Sequence, residues 1–389
     1  MMILVIYSPC YIEGSNLWID RKVHSGNCLF AQQLSIKITM IAPVLEDPSK
    51  MMDLIAVPLD ELTYAVEPLK CDDSYVLDSS ETERVRKLVQ KSTLVYGTGF
   101  EIHTHTQKLN KAHVAIAEFN LATQIQISRL AVEGTLRRSA RTAKTLLRFL
   151  GESRMHRHAH SVHCNGYPMY YQTKYLNDNC LLYLDSRMTE NLIINLDRLE
   201  ARLEDFAKGR KARLIYSGRY EAIKGALDVV EVGIELNRRG VRFELDLFGK
   251  GAQAEEMRRR VETSGGGDNI RVNDAIPYPE LIERSHDSDL FVCCHVQDDP
   301  SCTYLEASGS GLPIAGYNNR MWKNFARFAN NGVITTRKQP KDLANKIEKL
   351  LSDRQRLIDF SRQSREFALA HTFEKEFGSR IKALQAIRT

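Results

Sequence analysis

At 389 residues the chain is long enough for two hydrophobic cores, and with 43% hydrophobic and 26% charged residues it has the make-up of an ordinary globular protein. A net charge of +5 is too slight for a dedicated nucleic-acid binder, so no nucleic-acid partner is expected. There is no apolar run of membrane-spanning length and no charged signal-peptide start, which predicts a cytoplasmic protein. Eight cysteines at 10, 28, 71, 164, 180, 293, 294 and 302 form no Cys-x-x-Cys pair, so neither a zinc site nor a disulfide framework is expected.

In chain order, 2–7 reads as a strand and 36–42 as another, with shorter candidates at 54–57, 94–96, 114–117 and 162–164. The turn after the first strand, Ser8-Pro9-Cys10-Tyr11, has no Gly-x-Gly-x-x-Gly, which argues against a dinucleotide dehydrogenase. Residues 137–150 carry two stripes at helical spacing: Arg137, Arg141, Lys144 and Arg148 on one, Ala140, Ala143, Leu147 and Leu150 on the other. Between 131 and 160 seven Lys or Arg stand against two acids. Such a helix either packs its apolar stripe into its own domain or rests on an anionic membrane surface. A polar, charged segment at 197–213 sets a boundary, with a first domain at 1–205.

Beyond it, strand-like runs at 213–217, 242–248, 270–273, 288–294, 312–316 and 332–336 alternate with helical patterns at 225–238, 252–263, 278–285 and 339–352. That alternation implies an α/β domain, at 206–370, with a parallel sheet covered on both faces. Ligands of open α/β sheets bind beyond the carboxyl ends of the strands. Arg219, Gly249, Asp298 and the segment 299–308 converge there. The first of these strands ends in Gly218-Arg219 and is followed by Lys224-Gly225; the second ends in Gly249-Lys250-Gly251, a turn that admits close backbone approach but is also ordinary between a strand and a helix. Asp298-Asp299-Pro300-Ser301-Cys302-Thr303-Tyr304-Leu305-Glu306 reads as a short helix with Asp299 as N-cap, Pro300 first, and Gly309 as its left-handed stop. Helical rise then separates Asp298 from Glu306 by roughly 12 Å, with the amides of Ser301 to Thr303 facing a phosphate. This is either a nucleotide-sugar cradle or a plain capped helix with solvated acids. His295, closing its strand near Asp298, reads as a capping or structural histidine that can also approach a donor sugar.

The run from Asp298 through Leu-Glu-Ala-Ser-Gly-Ser-Gly-Leu-Pro resembles the signature of retaining GT-B glycosyltransferases, specifically glycosyltransferase family 4, with Asp298 where the family usually has Glu. The Gly218-Arg219 turn with Lys224-Gly225 is similar to the family's diphosphate-binding segment. The resemblance implies two facing Rossmann-like domains with an interdomain cleft, the first for the acceptor and the second for the donor, and a C-terminal helix at 371–389 packing back on the first. It implies catalytic roles for Asp298, Arg219 and Lys224. Donor binding would fall to Glu306 on the ribose, with Gly218, Gly249, Lys250, Pro300, Ser301, Cys302, Thr303, Tyr304 and Leu305 around the nucleotide.

On the acceptor side the resemblance points to Lys22, His24 and Gly26 in a glycine-containing loop. Glu118 with Asn120 just past a strand, and Asn165 in an Asn-Gly turn, are further candidates; the first two read more readily as solvated loop residues, and the turn reads equally as a plain turn. The implied activity is transfer of a sugar from a nucleotide-diphosphate donor to a hydroxyl of a glycan or polyprenyl-linked glycan. It needs no cofactor and no metal, and suits polysaccharide assembly on the inner face of the plasma membrane. A nucleotide-sugar epimerase of the same fold and a catalytically silent nucleotide-sugar-binding protein stay open as alternatives.

Overall fold

The computed structural model describes residues 1–5, 9–45, 54–71, 76–99, 101–130 and 132–387. The end of the first predicted strand and Ser8 of the turn after it lie outside the described residues. The chain forms two compact units: Met1–Tyr183 joined by the residues from Phe377 onward, and Leu184–Glu376.

In the first unit the elements are β1 (Met2–Val5), β2 (Tyr11–Glu13), β3 (Asn16–Asp20), α1 (Arg21–Gln33), β4 (Ile38–Pro43), β5 (Leu54–Pro58), β6 (Ala65–Leu69), α2 (Ser79–Lys91), β7 (Leu94–Tyr96), α3 (Ile102–Lys108), β8 (Ala112–Ala117), α4 (Leu121–Leu130), α5 (Thr135–His158), β9 (Ser161–Asn165), α6 (Tyr167–Thr173) and β10 (Cys180–Tyr183). Seven of the strands make one parallel sheet in the order β10-β9-β8-β7-β1-β4-β6. Its central strands are buried along their whole length and, Thr39 apart, apolar, because helices cover both faces. Ile3, Val5, Ile41 and Val95 meet Val85 and Val89 of α2; Ala115 and Val162 meet Met155 of α5. The remaining three strands form a small antiparallel sheet, β2-β3-β5, which the alternation of strands and helices did not announce.

The second unit contains α7 (Leu196–Ala207), β11 (Ala212–Ser217), α8 (Ala226–Arg238), β12 (Phe243–Phe248), α9 (Ala254–Thr263), β13 (Ile270–Asn273), α10 (Tyr278–His286), β14 (Leu290–Cys293), α11 (Thr303–Gly309), β15 (Ile314–Tyr317), α12 (Arg320–Ala329), β16 (Gly332–Thr335), α13 (Pro340–Ser352) and α14 (Arg354–Ala370). All six strands are parallel in the order β13-β12-β11-β14-β15-β16, the doubly wound order that reverses between β11 and β14. The division falls at Tyr183/Leu184 rather than near 205, because α7 buries Leu199, Leu203 and Phe206 in the second unit's core.

The last helix, α15 (Phe373–Ala386), contributes its residues from Phe377 onward to the first unit. Phe377 packs on Phe30 with ring centroids 5.4 Å apart. Arg380 is buried, donates from Nε to the Tyr96 hydroxyl at 2.7 Å, and lies over the rings of Tyr183 and Phe377 at 4.5 Å.

Candidate functional site

The reversal point of the second sheet gathers three loops. After β11 the chain turns through Gly218 and Arg219, makes one 3-10 turn over Ala222–Lys224, and enters α8 at Gly225. Gly225 has φ +62°, and a Cβ there would lie 2.0 Å from the carbonyl oxygen of Cys294. That contact seats the Lys224 turn directly on the loop after β14, a seating completed by Val296 N donating to Ile223 O at 3.1 Å. The loop after β12 closes in from the other side: Gly249 sits so near Gly218 O that a Cβ would be 2.0 Å from it, and Tyr220 N donates to Lys250 O at 2.9 Å.

Within this floor Lys224 Nζ pairs with Asp299 Oδ2 at 2.6 Å, and both residues are buried. Burial works against the Asp299 charge, but Lys224, His295 and hydrogen bonding outweigh it and hold the carboxyl below its usual range. Arg219 is half exposed, its guanidinium 3.1 Å from Glu221. Asp298 is buried, and its Oδ1 accepts from the amide of Arg320 at 2.6 Å and from Arg337 Nη2 at 2.5 Å; its Oδ2 lies 3.9 Å from Arg320 Nε. His295 has no exposed surface to speak of, and burial, then Lys224, press its pKa down to about 3.

These contacts revise the helix expected at 299–308. Asp299 is not its N-cap, since the carboxylate is taken by Lys224; α11 starts at Thr303 after Cys302, and Pro300 to Cys302 are not helical. The helical spacing between Asp298 and Glu306 therefore does not apply. Nor does Gly309 supply the left-handed stop. That residue is Gly311 at φ +65°, with Gly311 N bonded to Ser308 O and Leu312 N to Ala307 O. Tyr304 and Leu305 turn their side chains into the core, Tyr304 lying flat against Trp322 at 5.9 Å and 4°. Ser301 Oγ bonds Thr303 Oγ1 at 2.8 Å, Cys302 Sγ meets Asp185 Oδ2 at 3.1 Å, and Glu306 is half buried on α11.

Asp299, Arg337 and Asn319 are site residues that sequence reasoning missed. Asn319 is fully buried, and its Nδ2 donates to His295 O at 3.1 Å and Tyr304 Oη at 3.0 Å. The adjacent acids Asp298-Asp299 were the available signal, but local spacing does not say which cation each one meets.

In the first unit Lys22, His24 and Gly26 lie on helix α1, not in a loop, because Asp20 caps the helix by accepting from Val23 N at 3.1 Å. Burial lowers the His24 pKa, and its Nδ1 is 3.0 Å from Tyr64 Oη. Gly26 is a packing residue: a Cβ would fall 2.4 Å from the Phe377 ring. Glu118 is exposed just past β8, and Asn120 caps α4 through Thr123 N at 2.8 Å. Asn165 ends β9, buried, with its Oδ1 lacking a partner.

A cavity of about 340 Å³ opens at the opposite, amino end of the second sheet, lined by Arg210, Arg239, Arg242 and Arg354. Arg210 is paired with Asp289, and Arg239 with Glu235 and Glu348, so those charges are already answered.

Residues 197–367, all within the second unit, match the family model described as Glycosyl transferases group 1. The second unit is thus similar to the group 1 glycosyltransferase domains. Among curated proteins, the chain is similar to the GtfA subunit of the UDP-N-acetylglucosamine--peptide N-acetylglucosaminyltransferase of Streptococcus gordonii, 28% identical over 92 residues, which are 24% of this chain and 18% of that protein. It is also similar to the D-inositol 3-phosphate glycosyltransferase of Paenarthrobacter aurescens, 25% identical over 169 residues, 42% of this chain and 40% of that one. The chain thus spans less than half the length of either curated relative. In fold, the whole chain is similar to HepE of Anabaena, solved in complex with UDP-glucose, at 11% identity, full coverage of both chains and a TM-score of 0.69. The two parallel-sheet units are those of the GT-B fold.

Proposed function

We propose that the chain is a retaining glycosyltransferase that moves a sugar from a nucleotide-diphosphate sugar to a hydroxyl of a glycan or lipid-linked glycan, in polysaccharide or glycoconjugate assembly. The observation that carries this reading is the placement of Arg219 and the buried Lys224 at the reversal point of a doubly wound sheet, beside backbone that glycines leave uncovered. The likeness to group 1 domains and a structural neighbour solved with UDP-glucose support it.

In this reading Arg219 offers a planar donor fork and Lys224 a point charge to the departing nucleotide diphosphate, whose negative charge grows as the glycosidic bond breaks. Glu306 accepts from the ribose hydroxyls. Asp298, fixed through Oδ1 by Arg337 and the Arg320 amide, has Oδ2 to accept from a hydroxyl of the transferred sugar. These cations do the work a metal would do, so chelator should leave turnover unchanged.

A thermal-shift and calorimetric panel of nucleoside diphosphates and their sugar conjugates tests the reading, because a ligand that binds only the folded state raises its stability. A selective hit that disappears in Lys224→Met supports it; a panel with no binder at millimolar concentration overturns it. Glu306→Ala should abolish sugar transfer and leave the melting temperature nearly unchanged.

The acceptor side of the reading includes a membrane surface. Helix α5 turns Thr145, Met155 and His156 inward, while Leu136, Leu147 and Leu150 are 87%, 70% and 65% exposed, with Arg137, Arg141, Lys144 and Arg148 alongside. The apolar stripe is therefore not packed into its own unit. Among the described residues no helix is long and apolar enough to cross a membrane, so attachment would be peripheral, through leucines in the headgroup region and cations on anionic lipid. Sedimentation with vesicles containing phosphatidylglycerol, and none with pure phosphatidylcholine, is the expected result; equal behaviour with both would count against it.

A further inference from the structure

The loop after β14 holds a buried polar side chain with nothing to bond. His295 is 1% exposed, and neither ring nitrogen has a hydrogen-bond partner. Its position is nonetheless fixed: Asn319 holds its carbonyl, and its ring meets Tyr304 edge-on at 5.9 Å. A buried polar group without a partner destabilises the fold, and here both nitrogens of one ring are in that position. The charged groups around it are Lys224, Asp299 and Arg219, and Tyr304 and Cys293 are the other titratable neighbours.

Lys224 faces two claims. In the unliganded chain its Nζ is bound to Asp299 at 2.6 Å; in the donor-site reading above, on which this inference rests, it must serve a diphosphate. Drawing it away leaves a buried carboxylate without its cation, which is expensive. We propose that His295 is the positioning residue that makes this exchange possible: as a diphosphate draws Lys224 Nζ off Asp299, the His295 imidazole takes a proton from solvent and supplies the positive charge that Asp299 has lost. Two of the influences that keep the ring neutral, Lys224 and Arg219, are then answered by the ligand's own negative charges, and the Asp299 carboxylate, no longer neutralised by Lys224, favours the charged ring. Burial alone still opposes protonation.

The sign of the linkage follows. A ring neutral before binding and protonated after it binds one more proton in the complex, so donor affinity should strengthen as pH falls from 8 to 6. Calorimetry of UDP-glucose, or of whichever nucleotide sugar the panel selects, in buffers of different ionisation enthalpy measures the proton count directly. A nucleotide sugar serves better than a free diphosphate because its bridging phosphates have no group titrating near neutrality. Wild type should take up a proton fraction that grows between pH 8 and pH 6. His295→Gln should take up none and bind about tenfold or more weakly, with an unchanged melting temperature when unliganded. Equal proton uptake in wild type and H295Q, or none in wild type while K224M loses binding, overturns the role of His295 and leaves the donor site standing. Binding that survives K224M overturns the donor-site reading and this inference with it.

Discussion

The Lys224–Asp299 pair shows how a residue's role is decided by a contact 75 positions away. Asp299 looks like an N-cap because the pattern Asp-Pro at a helix start is common, and no local rule reports that a buried ammonium lies against it. Arg219, Lys224 and the two loop glycines were legible, because strand-end position and backbone approach are properties of the chain nearby. Asp298 was legible as an acid but not as a carboxylate already held by Arg337. Removing one member of a buried pair leaves an uncompensated charge, so Lys224→Met should destabilise the second unit by about 3–5 kcal/mol in urea titrations. Gly225→Ala should be worse than an ordinary glycine substitution, since it adds a positive-φ penalty to a clash with the Cys294 carbonyl. A loss of under about 1 kcal/mol would mean the two loops can part.

At the scale of elements, the alternation of apolar runs and helical periods in the second half was readable to within two residues for most boundaries, because a parallel sheet buried on both faces needs continuous apolar strands. The exceptions have causes. The β2–β3 hairpin was passed over although its two-residue Gly14-Ser15 connection is a hairpin signal; the strands are too short for alternation to show. Helix α5 exposes the stripe that a simple amphipathic reading turns inward, because the face it buries is marked by Thr145 and Met155 rather than by leucines. Leu147→Glu with Leu150→Glu should therefore change unfolding free energy by no more than about 0.5 kcal/mol each while removing vesicle binding. Met155→Ala, on the buried face, should cost about 2 kcal/mol or more.

For the molecule as a whole, acid should act unevenly. In the first unit burial presses His113 and His156 to about 4 and His163 to about 3, and lowers His24, His103 and His105 as well; in the second only His295, at about 3, and His286 are lowered. A histidine held neutral in the fold binds its proton more readily when unfolded. Its contribution is complete above about pH 6.5 and declines, by up to about 1.4 kcal/mol per pH unit for each ring, as pH falls toward the folded value. Between pH 7 and pH 5 the first unit should lose more stability than the second. The two tryptophans, Trp18 in the first unit and Trp322 in the second, make this measurable: urea titrations of W322F report the first and of W18F the second. Equal midpoint shifts would refute the asymmetry.

The return of the chain at Phe377 has a consequence for how the protein is made. Domains usually finish folding in the order in which they are synthesised, but here the earlier-made unit is incomplete until the segment from Phe377 onward, which follows the whole of the later unit, has been made. While the ribosome works through the whole of the later unit, the gap above Gly26 and the Tyr96 hydroxyl wait for the Phe377 ring and the Arg380 guanidinium. A premature stop just after Glu376 would therefore spare the unit being translated at that moment and damage the one made first, and a pulse of protease on such a truncated chain should cut before Tyr183 while the second unit stays whole.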